Sequence, residues 1–406
     1  MSGQTSEEPA SAALPAGALL CLSLAAFGSG ISMRVNDALL PSLSADFGIS
    51  LGQAAQVVSY FAIAYGLAQL GFGPAGDRFG KYRVIAWACV GSALTSLLCL
   101  LSPGFEALRL ARLLAGIAAA AVIPLSMAWI GDVVAYDQRQ PVLARFLSGQ
   151  ILGLVVGVAL GGFAADHLSW RLPYALLAGL FLAVALALFS MNRRLPARAL
   201  LRRPSQGSAL QSMVNDFSHV LALPWARVVL LVVFIEGMFL YGAFVFVASY
   251  LHQRFGLSLS AAGGVLMLFG AGGFSFAVAS GSLSRWLGEV RLVRWGGALM
   301  SLSFAVLALA PAWWWALPLC LLLGLGFYMM HNTLQLNATQ MAPERRGAAV
   351  SAFAASFFLG QSAGVSAAGW LVGQLGMAPL MLGCSLGLLI TALAFARLRS
   401  ARRPAG

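Results

Sequence analysis

Twelve stretches of predominantly apolar residues run through this chain, at 14–39, 52–72, 84–102, 107–130, 142–163, 172–190, 226–250, 259–280, 292–311, 315–341, 347–371 and 377–396. A helix needs about 20 such residues to cross the ~30 Å hydrocarbon core of a bilayer, so each stretch is long enough to span a membrane. Together they leave no room for a sizeable soluble domain. Of the 406 residues, 60% are hydrophobic and only 9% charged, against about 25% charged in a soluble protein. A chain this poor in polar surface needs lipid as its solvent. We number the stretches spans 1 to 12 in chain order.

The connections are short except the sixth, which carries Arg193, Arg194, Pro196, Arg198, Arg202, Arg203 and Pro204. It divides the chain into a six-span bundle at 1–190, a basic linker at 191–225 and a second six-span bundle with a tail at 226–406. The expected fold class is an all-α integral membrane protein, with twelve transmembrane helices in two pseudo-symmetric bundles.

The net charge is +12, from 25 Lys plus Arg against 13 Asp plus Glu, and Lys81 is the single lysine. No cationic stretch is interleaved with aromatics, so nucleic acid is not an expected partner. Alternating the connections between two sides gathers twenty cationic residues on one side and leaves Arg34, Arg109, Arg112, Arg171 and Arg254 for the other or for the membrane interior. That asymmetry places both termini and the linker in the cytoplasm, with lipid as the partner of the spans. Trp170 and Trp313 to Trp315 fall at outer span ends and Trp225, Trp286 and Trp295 at inner ends, where interfacial anchors are expected. Cys21, Cys89, Cys99, Cys320 and Cys384 sit inside apolar runs with no ligand spacing, so neither disulfide, metal nor other cofactor is expected. The acidic opening (Ser6, Glu7, Glu8, Pro9) lacks the positive start of a cleavable signal.

The halves echo one another. Gly73–Arg83 after span 2 aligns with Gly281–Arg291 after span 8, with Arg285 in the place of Asp77, and Gly149-Gln150 in span 5 corresponds to Gly360-Gln361 in span 11. Such internal repeats are a mark of secondary transporters.

These residues resemble the major facilitator superfamily along the whole chain. The segment GPAGDRFGKYR, with Gly73, Asp77, Arg78, Gly80, Lys81 and Arg83, is similar to that family's G-x-L-a-D-R-x-G-R-R signature between spans 2 and 3. Arg112 and Gly116 in span 4 look like its R-x-x-x-G element. Gly153, Gly157, Gly161 and Gly162 in span 5 resemble the glycine pattern of its proton-linked drug exporters, although Val158 stands where that pattern has proline. Trp170-Arg171-Leu172-Pro173-Tyr174 is similar to the W-R-W-x-F segment of the same branch. The resemblance implies a monomeric, multi-pass transporter of a bacterial inner membrane, exporting a small organic compound in exchange for protons. It also implies that Asp77 lies near the start of span 11, where a carboxylate facing a helix N-terminus contributes roughly 0.3–1 kcal/mol and up to ~2 when partly buried. Arg285 offers no such latch, so the expected inner gate is single-sided. The glycine face of span 5 is expected to meet span 11 or span 8 across the halves.

Charged residues within the spans carry the stronger functional signal, since each costs roughly 2.5–3.5 kcal/mol at a helix centre. Glu236 lies about ten residues into span 7, near the bilayer midplane, with no cation at i±3 or i±4. It is the first candidate for the proton-coupling site, with Asp37 the second. Arg34 and Asp37 are three residues apart on span 1 and are placed to neutralise one another in its outer half, at an external gate or the upper cavity wall. Arg112 has no local acidic partner and is a candidate to hold an anionic substrate or to act on a carboxylate across the cleft; contact with backbone carbonyls is its structural alternative. In span 10, His331, Asn332 and Gln335 belong to a polar stripe expected to line the cavity, as are Tyr65, Gln69, Gln150 and Gln361.

The alternative within transport is a symporter or uniporter importing an organic anion or sugar. An integral-membrane enzyme is not expected, because His167, His219, His252 and His331 lie on different segments without a local carboxylate arrangement.

Overall fold

The computed structural model describes residues 16–200 and 209–402. Arg202, Arg203, Pro204 and the acidic opening residues lie outside them. The apolar stretches form the helices their length requires. Span 1 comprises Ala16–Arg34 and Leu40–Phe47, span 2 Leu51–Ala54 and Gln56–Phe79, span 3 Lys81–Leu100, span 4 Phe105–Ala119 and Val122–Val133, span 5 Tyr136–His167 and span 6 Leu172–Asn192. Span 7 comprises Pro224–Phe244 and Val247–Phe255, span 10 is Ala316–Met341, span 11 Arg346–Leu375 and span 12 Met377–Ala401. Spans 8 and 9 lie within a single run, Leu259–Leu309, broken at Gly288. There φ is +66° and ψ 168°, a conformation open to glycine and costly for other residues, and it turns the chain back across the bundle.

Spans 1 to 6 pack among themselves, with span 1 against 5 and 6, span 2 against 4, and span 3 against 4 and 6. Spans 7 to 12 repeat this pattern, span 7 lying against 11 and 12 and the run of spans 8 and 9 against 10 and 12. Two further helix pairs join the halves, span 2 with 11 and span 5 with 8. The linker contributes a helix of its own, Ala209–Ala222, which the connection's charge and prolines did not reveal. It is tied down by an ion pair from Arg345 to Asp216 at 3.1 Å. Upstream, Trp129 Nε1 donates to the carbonyl of Ala199 at 3.0 Å.

Three expectations are corrected here. The glycines of span 5 face span 1 of the same half: a Cβ at Gly153 would collide with the carbonyl of Phe27, at Gly157 with the backbone of Ile31 and at Gly161 with the carbonyl of Val35. Only Gly162 of the four meets the other half, at Leu259 of span 8. Small residues announce that a helix comes close but not which one. Trp170 is no interfacial anchor, being 4% exposed and donating Nε1–H to Asp46 Oδ2 at 2.7 Å. Span 1 continues to Phe47, so Arg34 and Asp37 sit near its middle instead of in its outer half. The segment between its two helices closes with four-residue turns, Asp37 N to Arg34 O (3.1 Å) and Leu39 N to Asn36 O (3.0 Å).

The joint between the halves is asymmetric. Away from the linker, Asp166 of span 5 accepts from the backbone N–H of Leu259 (3.1 Å) and Ser260 (2.6 Å) at the start of span 8, so a carboxylate meets the positive end of a helix. At the same end Ser59 of span 2 donates to the carbonyl of Ser362 in span 11 at 3.0 Å. Deeper, Tyr65 meets Phe358 with ring centroids 4.5 Å apart. Beyond that level, toward the linker, no hydrogen bond joins span 2 to span 11 or span 5 to span 8 among the described residues.

Candidate functional site

A cavity of about 330 Å³ lies between the halves, lined from spans 1, 2, 4, 5, 7, 8, 10 and 11. Its walls run past Gln69, Met127, Leu147 and Gln335 toward the linker side. The volume is at the small end of ligand pockets. Arg34, Tyr65, Gln69, Gln150, His331, Asn332, Gln335 and Gln361 all contribute to its wall. The stripe on span 10 follows from helical spacing, since residues 331, 332 and 335 share one face.

Arg112 is not among the lining side chains. It is 1% exposed and donates to Ser32 O (2.9 Å), Ser32 Oγ (3.3 Å) and Val57 O (3.3 Å), with its guanidinium carbon 4.2 Å from the centre of the Phe61 ring. Those bonds fasten spans 1, 2 and 4 together. Carbonyls of two helices, one of them beside the break in span 1, take up the charge in place of a substrate.

The two buried carboxylates of the central region lie just behind the cavity wall, both with 0% exposure. Asp37 accepts from Arg34 Nη1 at 3.3 Å, the i, i+3 pair their spacing suggests. The Arg34 guanidinium in turn lies over the Tyr241 ring, 3.9 Å from its centre, so span 1 touches span 7 through a cation on an aromatic face. Glu236 has a partner that its own span does not supply. His331 Nδ1 of span 10 lies 2.8 Å from Glu236 Oε2, and the imidazole reaches the cavity while the carboxylate does not. An ionised Glu236 accepts from Nδ1–H, whereas a protonated Glu236 can donate to an unprotonated Nδ1. The contact therefore survives the arrival or departure of a proton. Glu236 Oε1 is buried without a partner.

Close packing sets this geometry. A Cβ at Gly237 would collide with the Phe357 carbonyl of span 11, and one at Gly360 with the Phe234 carbonyl of span 7. Spans 7 and 11 thus touch backbone to backbone beside Glu236. The imidazole is stacked on Phe327 (4.8 Å) and packed against Phe357 (4.6 Å) and Phe353 (5.3 Å). This aromatic enclosure was not anticipated from the sequence, in which phenylalanines are spread over most of the spans.

At the linker side, Asp77 does not reach span 11 through any hydrogen bond among the described residues. Its Oδ1 pairs instead with Lys81 Nζ at 3.0 Å, and Lys81 also reaches Asp132 at 2.6 Å. Gly80 provides the turn between spans 2 and 3 with φ +91°. Arg78 lies near the Phe79 ring, 5.2 Å from its centre, Gly73 is within span 2 and Arg83 opens span 3. The expected latch is thus an ion cluster inside the first half. The carboxylate that does cap a helix across the halves is Asp166, at the opposite end.

Comparison with known proteins agrees with this architecture. The family model described as Major Facilitator Superfamily matches residues 22–365. An uncharacterized MFS-type transporter of Bacillus subtilis, YceJ, is 28% identical over 82% of this chain and 83% of its own length. The probable multidrug resistance protein EmrY of Escherichia coli is 29% identical over 39% of this chain and 32% of its own. Among solved structures, a point mutant of the nucleoside transporter NupG superposes with a TM-score of 0.80 at 14% identity, covering 94% of this chain and 99% of its own. A bacterial homologue of the human lysosomal transporter Spinster, solved inward-facing and unoccupied, gives 0.74 at 19% identity, covering 95% and 96%. Twelve packed spans, the joint between two halves and a family match over most of the length lead to one conclusion: the chain belongs to the major facilitator superfamily and is a multi-pass membrane transporter.

Proposed function

We propose that this protein is a proton-coupled exporter of a small organic compound, working by alternating access. In this reading it lies in a bacterial cytoplasmic membrane as a monomer, with both termini inside. The bundles at 1–190 and 226–406 rock about the cavity, with 191–225 as their tether. The twenty-to-five partition of cationic residues supports the orientation. With the linker side inside, the arrangement is inward-open, closed outside by Asp166 and Ser59.

The observation that carries the proposal is the Glu236–His331 contact. A carboxylate with 0% exposure is expensive to ionise in a membrane interior unless something compensates it. His331 is the compensating group, and it is also part of the substrate wall. An imidazole changes charge near physiological pH, so the pair holds one proton fewer or more without rearrangement of the helices. A substrate resting on His331 and a proton resting on the pair then favour different charge states of one site. Coupling arises because each ligand shifts the equilibrium only by its differential affinity for the two states.

The relatives with multidrug names support export at low identity and over part of the chain. The test is transport in inside-out vesicles across a panel of organic compounds, under an imposed pH gradient. The reading expects uptake into such vesicles when their lumen is acid, abolished by collapsing the gradient and by Glu236→Gln. Flux in the opposite direction, with proton and substrate moving together, establishes an import symporter and removes the export reading.

A further inference from the structure

The side chains that actually face the cavity differ in charge from those just behind it. Among the described residues no Asp or Glu is part of the wall, while Arg34 and His331 both are. Asp37 and Glu236 are fully buried behind these two groups, each reached through its partner. A ligand in the cavity therefore meets the guanidinium and the imidazole first. Arg34 gives one hydrogen bond among the described residues, to Asp37, of the five that a guanidinium can donate. It is held in place by Tyr241 at 3.9 Å and Phe244 at 5.8 Å. Its position is fixed and part of its donor capacity is unused.

The rest of the wall is aromatic and amide. Ten of its side chains are Phe or Tyr, and Phe269, Phe327 and Phe357 lie in near-parallel succession, with centroids 5.6 Å and 6.0 Å apart and interplanar angles of 29° and 27°. Such faces accept a flat ring by offset stacking. The amides Gln150, Asn332, Gln335 and Gln361 provide neutral hydrogen bonding, and Gln361 Oε1 is buried without a partner. A compact cavity with stacked aromatics, one guanidinium and an imidazole suits a small planar aromatic ring bearing one negative charge. A cationic ligand would find aromatic faces but no carboxylate at the surface, and would stand against Arg34.

We propose that the substrate is a small aromatic organic anion, such as an aromatic carboxylate, its charge held by Arg34 with His331 and its ring lying among the aromatic side chains of spans 7, 8, 10 and 11. This assignment rests on the transporter reading of the same cavity but not on proton coupling. Arg34 determines charge selectivity, and His331 is the second group of the wall placed to hold the anion.

Binding to the purified full-length protein tests the assignment without requiring transport. Four probes of one shape are measured by calorimetry: 2-naphthoate, 2-naphthamide, naphthalene and 2-naphthylmethylammonium, with benzoate and salicylate as smaller acids. At least one acid is expected to bind 10-fold or more tighter than its neutral counterpart, and the ammonium compound more weakly than either. Arg34→Lys should keep this preference and Arg34→Gln should abolish it while amide binding persists. Because Arg34→Gln leaves Asp37 unpaired, the double variant Arg34→Gln/Asp37→Asn is measured beside it. Tighter binding of the cation, no acid preference in any pair, or a preference that survives in the double variant overturns the assignment. Acid-selective binding combined with flux indifferent to pH would leave this assignment standing and remove the proton-coupled reading.

Discussion

Two buried carboxylates, one in each half, stand behind the wall of one cavity and differ in what they face. Asp37 lies against Arg34, whose charge does not change at any pH the protein meets. Glu236 lies against His331, an imidazole, the side-chain type that as a class changes charge near neutral pH. Both are completely buried, so burial alone does not separate them. The partner does. A carboxylate matched to a permanent cation is a fixed neutral unit, suited to holding the break in span 1 and orienting Arg34. A carboxylate matched to an imidazole is a unit whose proton count is open. Arg34 and His331 both line the same cavity, and in the proposed reading the difference gives selectivity to one pair and coupling to the other.

The largest expected effect is that of Glu236→Gln, which keeps the side-chain shape and a hydrogen bond to His331. Proton-driven flux in liposomes should fall by about 100-fold or more, a loss of roughly 2.7 kcal/mol, with the protein still monodisperse. A comparable loss for Asp37→Asn would erase the distinction between the pairs. His331→Gln should lower the same flux by about 10-fold, because Glu236 then has no titrating partner, and should flatten its dependence on pH between about 5 and 8. An unchanged profile would show that His331 carries no proton.

Asp166→Asn sharpens the comparison from outside the cavity. Its carboxylate accepts from two backbone N–H groups at the start of span 8, and in the proposed reading these bonds favour the inward-open arrangement. Replacing it should cost up to ~2 kcal/mol of that preference. Distances between spin labels on the outer ends of spans 5 and 8 should then show about a 5- to 30-fold rise in the separated population. No shift would mean that the cap does not bias the two states. The smallest effect belongs to Asp37→Asn, which should change proton-driven flux by less than about 3-fold, since an amide still accepts from Arg34.

The spans were legible because lipid leaves only helices of sufficient apolar length as solutions. Even the run of spans 8 and 9, continuous as a helix but for one residue, was divided correctly by the charged patch around Gly288. The wall of the cavity was legible where polar residues had no other reason to be in a span, as with His331, Asn332 and Gln335. Partnerships between spans were not. Glu236 and His331 are 95 positions apart, and nothing local to either encodes their 2.8 Å contact. Equal depth on spans 7 and 10 is the signal that pairs them, once the spans are laid side by side. Arg112 shows the converse, because a buried guanidinium finds backbone carbonyls as readily as a carboxylate, and sequence does not display the break in span 1 beside Ser32, one of its two carbonyl partners. The aromatic wall escaped for a different reason. Phenylalanine is ordinary in a membrane helix, so only packing distinguishes those that face the cavity.

The most direct test of the difference between the two carboxylates is infrared difference spectroscopy of the reconstituted protein between alkaline and acidic pH, which reads the carbonyl stretch of a newly protonated carboxyl group. The wild-type protein and Asp37→Asn should both gain that band on acidification, and Glu236→Gln should lack it. A band that disappears with Asp37→Asn and persists in Glu236→Gln would place the exchangeable proton on the other pair and contradict the account.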